Sequence, residues 1–273
     1  MLIQALTQVK EQYDGDNPLF LRILLKEYIQ NYILNFVYTS SLYKEMLFTG
    51  GTCLRKVYGL NRLSEDLDFN YEGNFSIEDF SNSLKSYLET SLDFYDLRMK
   101  LSNNDRSLII KFDILGKIGL TKTPVDTRSL FVRCDFALED TGVYGEDVKS
   151  ISTPQFTFFA RCYDLETLYA NKLVAFLNRS FFKMGSQNVP FKGRDVYDLV
   201  WFKERSLKED FFPNEARLQT LLGLERAQQV WAEVSKKIAL IEPDAVYKDI
   251  LPFLPSKAVA REYALNFKKI LLD

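Results

Sequence analysis

Histidine is absent from this sequence of 273 residues. Without imidazole the chain cannot build a Ser-His-Asp triad, a Cys-His pair or a metal site that uses histidine as a ligand. If the protein carries out acid–base chemistry, the general base is therefore expected to be a carboxylate.

Cysteine is scarce and odd in number. The three positions, Cys53, Cys134 and Cys162, show no metal-ligand spacing. An odd count without such spacing favours reduced thiols of a cytosolic protein over a disulfide framework. We interpret all three as structural.

A targeting segment and a membrane span are missing from the pattern as well. Residues 10–16 mix acidic and basic side chains, where a signal peptide would have a basic segment followed by an apolar core. Residues 18–43 form the most apolar helical stretch, but Arg22, Lys26 and Glu27 interrupt it, which favours a core helix packed on a sheet. We therefore expect a cytoplasmic protein without a membrane partner.

Charge of either sign is not in excess. The formal net charge is −2, with 26% charged residues and 47% hydrophobic residues. The apolar content can fill one large core or two of ordinary size. No global basic field indicates a nucleic acid partner, so any RNA binding must come from a local patch.

The stretch from Gly50 to Asn70 carries the strongest functional pattern. It follows a short apolar run, residues 46–48, which predicts a buried strand. Gly50 and Gly51 predict a turn, and a short helix is expected from about Thr52 to Tyr58. A glycine turn into a helix N-terminus offers free main-chain amides and the positive end of the helix dipole, so it is a candidate phosphate cradle.

A second strand is predicted from Asp66 to Glu72, with Leu67 and Phe69 on its apolar face. Asp66 and Asp68 share the other face, roughly 6 to 7 Å apart. A cation between them would remove their repulsion, and oxygen-only ligands favour Mg²⁺ or Mn²⁺. The alternative is that both aspartates merely form the solvated face of an edge strand.

The order of strand, glycine turn, helix and DxD strand resembles the nucleotidyltransferase fold of the DNA polymerase beta superfamily. More narrowly, GGTCLRKVYGLNRLSEDLDFN is similar to the signature of the AbiEii/AbiGii toxin family, and LETLYANKLVAFLNR and GRDVYDL resemble its later motifs. Relatives usually have Gly-Ser in the first motif, where this chain has Gly51-Thr52. Threonine keeps the hydroxyl, so we expect its phosphate contact to survive.

The resemblance implies a third carboxylate on a neighbouring strand, which completes the metal site and can take the proton of the attacking hydroxyl. Asp135, in FVRCDFAL, is the favoured candidate. Asp113, in LIIKFDIL, is its rival, and both stay open at this point.

Two charged positions stand out in the C-terminal half. The stem of Lys172 lies on an apolar helix face. Its ammonium either extends into bulk water or lies over the triphosphate of a nucleotide as a positive charge. Asp195 and Asp198 lie one helical turn apart, where acids also favour the helix dipole.

The resemblance implies a set of roles for these residues. Catalytic roles fall to Asp66, Asp68, Asp135, Lys172 and Asp195, and metal binding falls to Asp66, Asp68 and Asp135. Nucleotide contacts are expected from Gly50, Gly51, Thr52, Arg55, Ser64, Lys172, Arg194 and Asp198, with Lys56, Arg62 and Lys192 as further phosphate contacts or members of a solvated face.

The fold class predicted is α+β, a nucleotidyltransferase-fold mixed sheet with helices followed by an all-helical C-terminal half. Strands are expected at about 95–101, 107–115 and 130–138, and only helices after residue 164. The division is residues 1–160 as the catalytic domain and 161–273 as a helical domain that completes the nucleotide cleft.

The function implied is metal-dependent transfer of a nucleoside monophosphate from an NTP to an acceptor. The toxin resemblance implies an RNA acceptor, such as a tRNA end, a cognate antitoxin and a role in abortive infection or phage defence. Two alternatives stay open. One is a nucleotidyltransferase that acts on a small molecule, and the other is an inactive module that binds a nucleotide or a partner protein.

Overall fold

The computed structural model of the protein describes residues 1–121, 128–179 and 190–272. The chain divides into two compact units. The first consists of Met1–Asp140 and Asp147–Cys162, and the second of Thr141–Glu146 and Tyr163–Asp273.

A seven-stranded sheet in the order β3-β4-β5-β2-β1-β7-β6 organises the first unit. The sheet is mixed, because β2 runs parallel to β5 and antiparallel to β1, while β3, β4 and β5 are antiparallel. The strands are β1 Leu47–Thr49, β2 Asp66–Tyr71, β3 Leu97–Ser102, β4 Ser107–Phe112, β5 Leu130–Leu138, β6 Glu146–Ser152 and β7 Thr157–Tyr163.

Four helices accompany this sheet: α1 Leu2–Gln12, α2 Pro18–Thr39, α3 Gly50–Tyr58 and α4 Ile77–Leu92. The start of α2 is specified locally, since the Asn17 side chain accepts hydrogen bonds from the amides of Leu19 and Phe20 and a proline follows it. The start of α4 is specified in the same way by Ser76, whose hydroxyl accepts from the amide of Asp79 at 3.2 Å.

The apolar side of β2 is fixed by aromatic stacking across three adjacent strands. Phe69 stacks on Phe48 of β1 and on Phe136 of β5, with ring centroids 5.6 and 5.8 Å apart. All three rings are buried, and each buried side chain of this size contributes roughly 2 to 3 kcal/mol. Because side chains alternate along a strand, this packing commits Asp66 and Asp68 to the opposite face.

Three elements lie where the sequence analysis assigned none: α1, β6 and β7. Of these, β7 joins the sheet beside β1 in parallel, with Cys162 opposite Phe48. Its buried residues alternate at Phe158, Ala160 and Cys162, while Phe159 between them is exposed. The sheet therefore continues beyond the three strands expected after α4.

The second unit contains helices and no strand of its own within the described residues beyond the ends of β6 and β7. Its helices are α5 Leu165–Leu177, α6 Gly193–Glu209, α7 Glu215–Leu222, α8 Leu224–Gln228, α9 Val230–Ala239, α10 Pro243–Ile250 and α11 Lys257–Leu272, with a 3-10 turn at Leu251–Phe253. A mixed sheet with helices followed by helices alone confirms the α+β prediction. Among the described helices, none combines the length and apolar character needed to cross a membrane.

The segment 141–146 belongs to the second unit because its polar groups bond there. Arg217 of α7 is buried and donates from Nη1 to the Thr141 hydroxyl at 2.5 Å and to the Val143 carbonyl at 3.3 Å. The amide of Gly145 donates to the Thr167 hydroxyl of α5 at 2.8 Å. The chain thus enters the helical unit briefly before it returns to form β6 and β7.

Candidate active site

The glycine turn before α3 lies directly against the second aspartate of β2. Gly50 has φ +75°, and a Cβ added to it would overlap the Asp68 carboxylate. A Cβ on Gly51 would lie 2.7 Å from Arg62 Nη2 and 3.0 Å from Ser64 Oγ. Gly50 therefore has no room for a side chain, and its main chain approaches the Asp68 carboxylate closely.

The turn is also tied to β2 by hydrogen bonding. Thr49 of β1 lies opposite Asp68 in the antiparallel register. The buried Thr52 hydroxyl donates to the main-chain carbonyl of Asp66. The phosphate contact expected of Thr52 stays a prediction, and the observed bond fixes the first turn of α3 to the strand.

We predict that Gly50→Ala lowers both stability and catalysis. A left-handed φ costs an alanine about 1 to 2 kcal/mol, and the new methyl group must also displace the Asp68 carboxylate. Urea unfolding and a nucleotide-transfer assay would measure the two effects.

Gly59 offers the matched control, since it has φ +79° but nothing within 4 Å of an added Cβ. Gly59→Ala is expected to lose about 1 kcal/mol of stability and to keep its activity. Equal activity loss in both variants would contradict a special role for the space beside Asp68.

The register of β2 against β5 brings the third carboxylate beside the first two. Asp68 lies opposite Asp135, and Asp66 lies opposite Arg133. Residues opposite each other in a sheet project to the same face, and neighbouring strands are about 4.8 Å apart. Asp66, Asp68 and Asp135 therefore share one face of the sheet.

The rival carboxylate, Asp113, lies elsewhere. Ser107 at the start of β4 is opposite Asp135, and Asp113 follows the end of β4 six residues later, roughly 20 Å away along the strand. Asp113 is bound to Arg98 and to the Ser129 hydroxyl. The register thus distinguishes the two candidates and places Asp135 beside Asp68.

A buried thiol senses all three carboxylates. Burial raises the pKa of the Cys134 thiol, and the negative charges of Asp135, Asp66 and Asp68 raise it further. In the register Cys134 lies opposite Leu67, between the two aspartates of β2 and next to Asp135, so all three charges act on it from neighbouring positions.

The Asp135 carboxylate is nevertheless held by other partners. Its Oδ1 accepts from Arg133 Nε at 2.8 Å and from the Ser107 hydroxyl, and Arg133 Nη2 donates to Ser107 Oγ at 3.0 Å. In the described parts of the chain, no three His, Cys, Asp or Glu side chains come close enough together to hold a metal ion.

The residues still suit a divalent cation in donor type and layout. Three carboxylates on one face supply the oxygen ligands that Mg²⁺ and Mn²⁺ prefer. Glycine at position 50 keeps the space next to the Asp68 carboxylate clear of side-chain atoms. We conclude that the donor set fits such an ion in chemical type, while Asp135 is bound by Arg133 and Ser107.

The basic residues of α3 are bound within the first unit. Glu27 of α2 accepts from Arg55 Nε at 2.5 Å and lies 3.1 Å from Lys56 Nζ. Burial alone would raise the pKa of Glu27, but the hydrogen bonds and charges of the two cations outweigh it and lower that pKa. At Lys56, burial lowers the pKa more than the attraction of the Glu27 carboxylate raises it, so the pKa of Lys56 is lowered. Both expected phosphate contacts thus help to anchor α3 to α2.

We predict that Glu27→Gln lowers the free energy of unfolding by about 2 kcal/mol at pH 7. The folded-state pKa of Glu27 lies below its unfolded value, so its contribution is complete above the unfolded pKa and disappears as pH falls through the folded one. The difference between variant and wild type should therefore shrink below about pH 4.

Chemical unfolding at several pH values would measure this change. Glu89→Gln, in the more exposed pair with Lys85, is the control and should cost less than 1 kcal/mol. A pH-independent loss for Glu27→Gln would contradict the ion-pair explanation.

In the second unit, Lys172 of α5 is enclosed by acids from α6. Its Nζ lies 2.8 Å from Asp198 Oδ2 and 3.4 Å from Asp195 Oδ1. Arg179 Nη2 lies 2.6 Å from Asp195 Oδ2. Both aspartates are buried, so this network of two cations and two anions joins α5 to α6.

Arg194 is directed into the same unit. Its amide donates to Asp249 Oδ2 at 3.2 Å, and its guanidinium lies 4.5 Å from the ring centroid of Phe253. Gly193 next to it packs so closely on α10 that an added Cβ would lie 2.9 Å from the Val246 carbonyl oxygen. The nucleotide contact expected of Arg194 stays a prediction.

Four residues of these networks were not identified as functional from sequence: Glu27, Ser107, Arg133 and Arg179. The sequence places Arg133 on the face of Asp135, since it lies two residues earlier on the same strand, but it assigns Arg133 no role. Ser107 and Glu27 act through partners 28 residues away in sequence, and no local pattern indicates such pairs.

Comparison with known proteins agrees with this architecture. The model of a family described as nucleotidyl transferase AbiEii toxin, type IV toxin–antitoxin system, matches residues 35–272. Among solved structures, JHP933 from Helicobacter pylori is similar, at 17% identity over 92% of this chain and 90% of that chain, with a TM-score of 0.50. At this identity the likeness concerns the fold alone. No curated protein matches the chain in sequence.

Proposed function

Because the chain belongs to the AbiEii family of nucleotidyl transferase toxins of type IV toxin–antitoxin systems, we propose that it transfers a nucleoside monophosphate from an NTP to RNA. The reaction joins an acceptor hydroxyl oxygen to the α-phosphorus and releases pyrophosphate. The observation that carries this proposal is the alignment of Asp68 with Asp135 across β2 and β5, with the glycine turn against Asp68.

In this proposal Asp66, Asp68 and Asp135 hold Mg²⁺ or Mn²⁺. When bound, such a cation neutralises phosphate charge and stabilises the charge that develops during transfer. The amides at the N-terminus of α3, beginning at Gly50 and Gly51, donate to phosphate oxygens, as free amides at a helix start do. With no histidine in the chain, a carboxylate of this face takes the proton of the acceptor hydroxyl, and Asp135 is our candidate.

An RNA acceptor, such as a tRNA end, and a cognate antitoxin follow from the toxin family rather than from a charge pattern. The net charge of −2 provides no general attraction for a polyanion. RNA binding should therefore depend on a few local cations, and it should weaken with salt in proportion to their small number.

For the helical residues 161–273, the motif resemblance implies nucleotide contacts by Lys172 and Asp198 and catalytic roles for Lys172 and Asp195. Their enclosed ion network also explains these charges as a bond between α5 and α6. The conservative variant Lys172→Arg separates the two roles, because it keeps the charge for the network. Retained stability with lost transfer would support a direct nucleotide role.

The proposal is tested with α-labelled NTPs, Mg²⁺ and total RNA from a cell extract at low salt. Label should appear on RNA, EDTA should prevent it, and Asp68→Asn protein should give none above background. Label on small molecules alone would favour the alternative acceptor class. An absence of transfer from all four NTPs to any acceptor would favour a binding module.

A further inference from the structure

One cation sits within the acidic face of the sheet. Arg133 lies opposite Asp66 on β2 and two residues before Asp135 on its own strand. Its Nε donates to Asp135 Oδ1 at 2.8 Å, and its Nη2 donates to the Ser107 hydroxyl, which also binds Asp135. The guanidinium therefore occupies the side of Asp135 that is turned towards β4.

Across the neighbouring strands, Arg133 has one uncharged neighbour and one anionic neighbour on this face. On β4 the opposite residue is Ile109, which has no charge, and on β2 it is Asp66. An arginine side chain carries a positive charge in proteins. Three carboxylates and one permanent cation thus form the charge pattern of this part of the sheet.

A divalent cation on the same carboxylates would meet this guanidinium at short range. Like charges repel, and two cations can share one carboxylate oxygen only at a cost in binding. Both side chains are partly exposed, at 43% for Arg133 and 30% for Asp135, so the Arg133 bond is weak enough to exchange with another ligand.

We infer that Arg133 is an internal counter-cation that competes with the divalent metal for Asp135, so that metal loading requires the Arg133–Asp135 bond to break. This inference rests on the proposed function, because it concerns the metal of that reaction. It also accounts for the position of the Asp135 carboxylate, since Arg133 and Ser107 of β4 both bind its Oδ1.

If Arg133 supported metal binding, its removal would change the metal affinity in the opposite direction. If Arg133 only oriented Asp135 for the metal, its removal would weaken metal binding. If it competes, its removal strengthens metal binding, because one positive charge and one ligand of the carboxylate disappear together. The direction of the change decides between the two.

The experiment measures Mn²⁺ binding to the full-length protein without nucleotide, by calorimetry and by the loss of the free Mn²⁺ resonance. We expect Arg133→Gln to bind Mn²⁺ about tenfold more tightly than wild type. Arg133→Lys, which keeps the charge but loses the planar fork, should lie between them. Ser107→Ala should strengthen binding by less than Arg133→Gln.

Arg98→Gln is the matched control. It removes the same charge from the same sheet, but Arg98 pairs with Asp113, farther from the acidic face than a Debye length of about 8 Å. Its Mn²⁺ affinity should equal that of wild type. Melting with and without Mn²⁺ provides a second readout, since Mn²⁺ should raise the melting temperature of Arg133→Gln more than that of wild type.

The outcomes distinguish this inference from the proposed function. Unchanged or weaker Mn²⁺ binding by Arg133→Gln, with normal binding by wild type, overturns the competition and leaves the transfer proposal intact. Equal strengthening by Arg98→Gln also overturns it, since the effect would then be general. If neither wild type nor Arg133→Gln binds Mn²⁺, the metal site itself is wrong and both proposals lose their basis.

Discussion

Replacement of Asp68 by asparagine is expected to lower nucleotidyl transfer about a thousandfold. Asparagine keeps the size of the side chain and removes the charge that would hold a cation on β2. The stabilisation that such a cation supplies is worth several kcal/mol, and each 1.36 kcal/mol is about tenfold in rate. Asp66→Asn should have a similar effect.

The fold should tolerate both changes. Asp66 and Asp68 project from the face opposite the stacked Phe69, so the core is untouched. We expect melting temperatures close to wild type, or slightly higher, because repulsion between neighbouring carboxylates is reduced.

Asp113→Asn is the matched control, with the same substitution on the same sheet at the far end of β4. It should retain most of the transfer activity. Steady-state kinetics and melting must be measured on the same preparations. Wild-type rates in Asp68→Asn would remove the DxD pair from the mechanism.

Replacement of Lys172 by methionine is expected to destabilise the protein by about 3 kcal/mol. The lysine lies between two buried aspartates of α6, and its side chain is only 13% exposed. Methionine fills a similar volume but leaves Asp198 without its lysine partner. Breaking a buried pair on one side is costly because the remaining charge stays desolvated.

Urea unfolding provides the measurement, and Arg261→Met is the control. Arg261 pairs with Asp244 at 2.8 Å in the same unit, but both side chains are exposed, so its loss should cost less than 1 kcal/mol. The double variant Lys172→Met/Asp198→Leu should recover part of the loss, since it removes both charges. Equal costs for Lys172→Met and Arg261→Met would contradict a buried network.

Local patterns predicted the elements whose residues are specified by near neighbours. The alternation from Asp66 onward predicted both the strand and the face of each aspartate. The strand β7 was missed because an exposed phenylalanine, Phe159, lies between its buried positions and hides the alternation.

The site was predictable only in part because strand register is a long-range property. The pairing of Asp68 with Asp135 joins residues far apart in sequence, and the sequence alone did not exclude Asp113, the rival candidate. The basic residues of α3 illustrate the same limit. Arg55 and Lys56 are typical phosphate contacts, but Glu27, a helix away, binds both of them.

Residues 141–146 belong to the helical unit but lie in sequence between two segments of the first unit, and this order affects how the gene can recombine. The chain passes between the units after Asp140, after Glu146 and after Cys162. A single recombination point after Cys162 would separate Arg217 from the Thr141 that it binds. After such a crossover the contact would survive only if the incoming helical unit also had an arginine at position 217, so residues 141–146 and the helical unit are expected to be exchanged together.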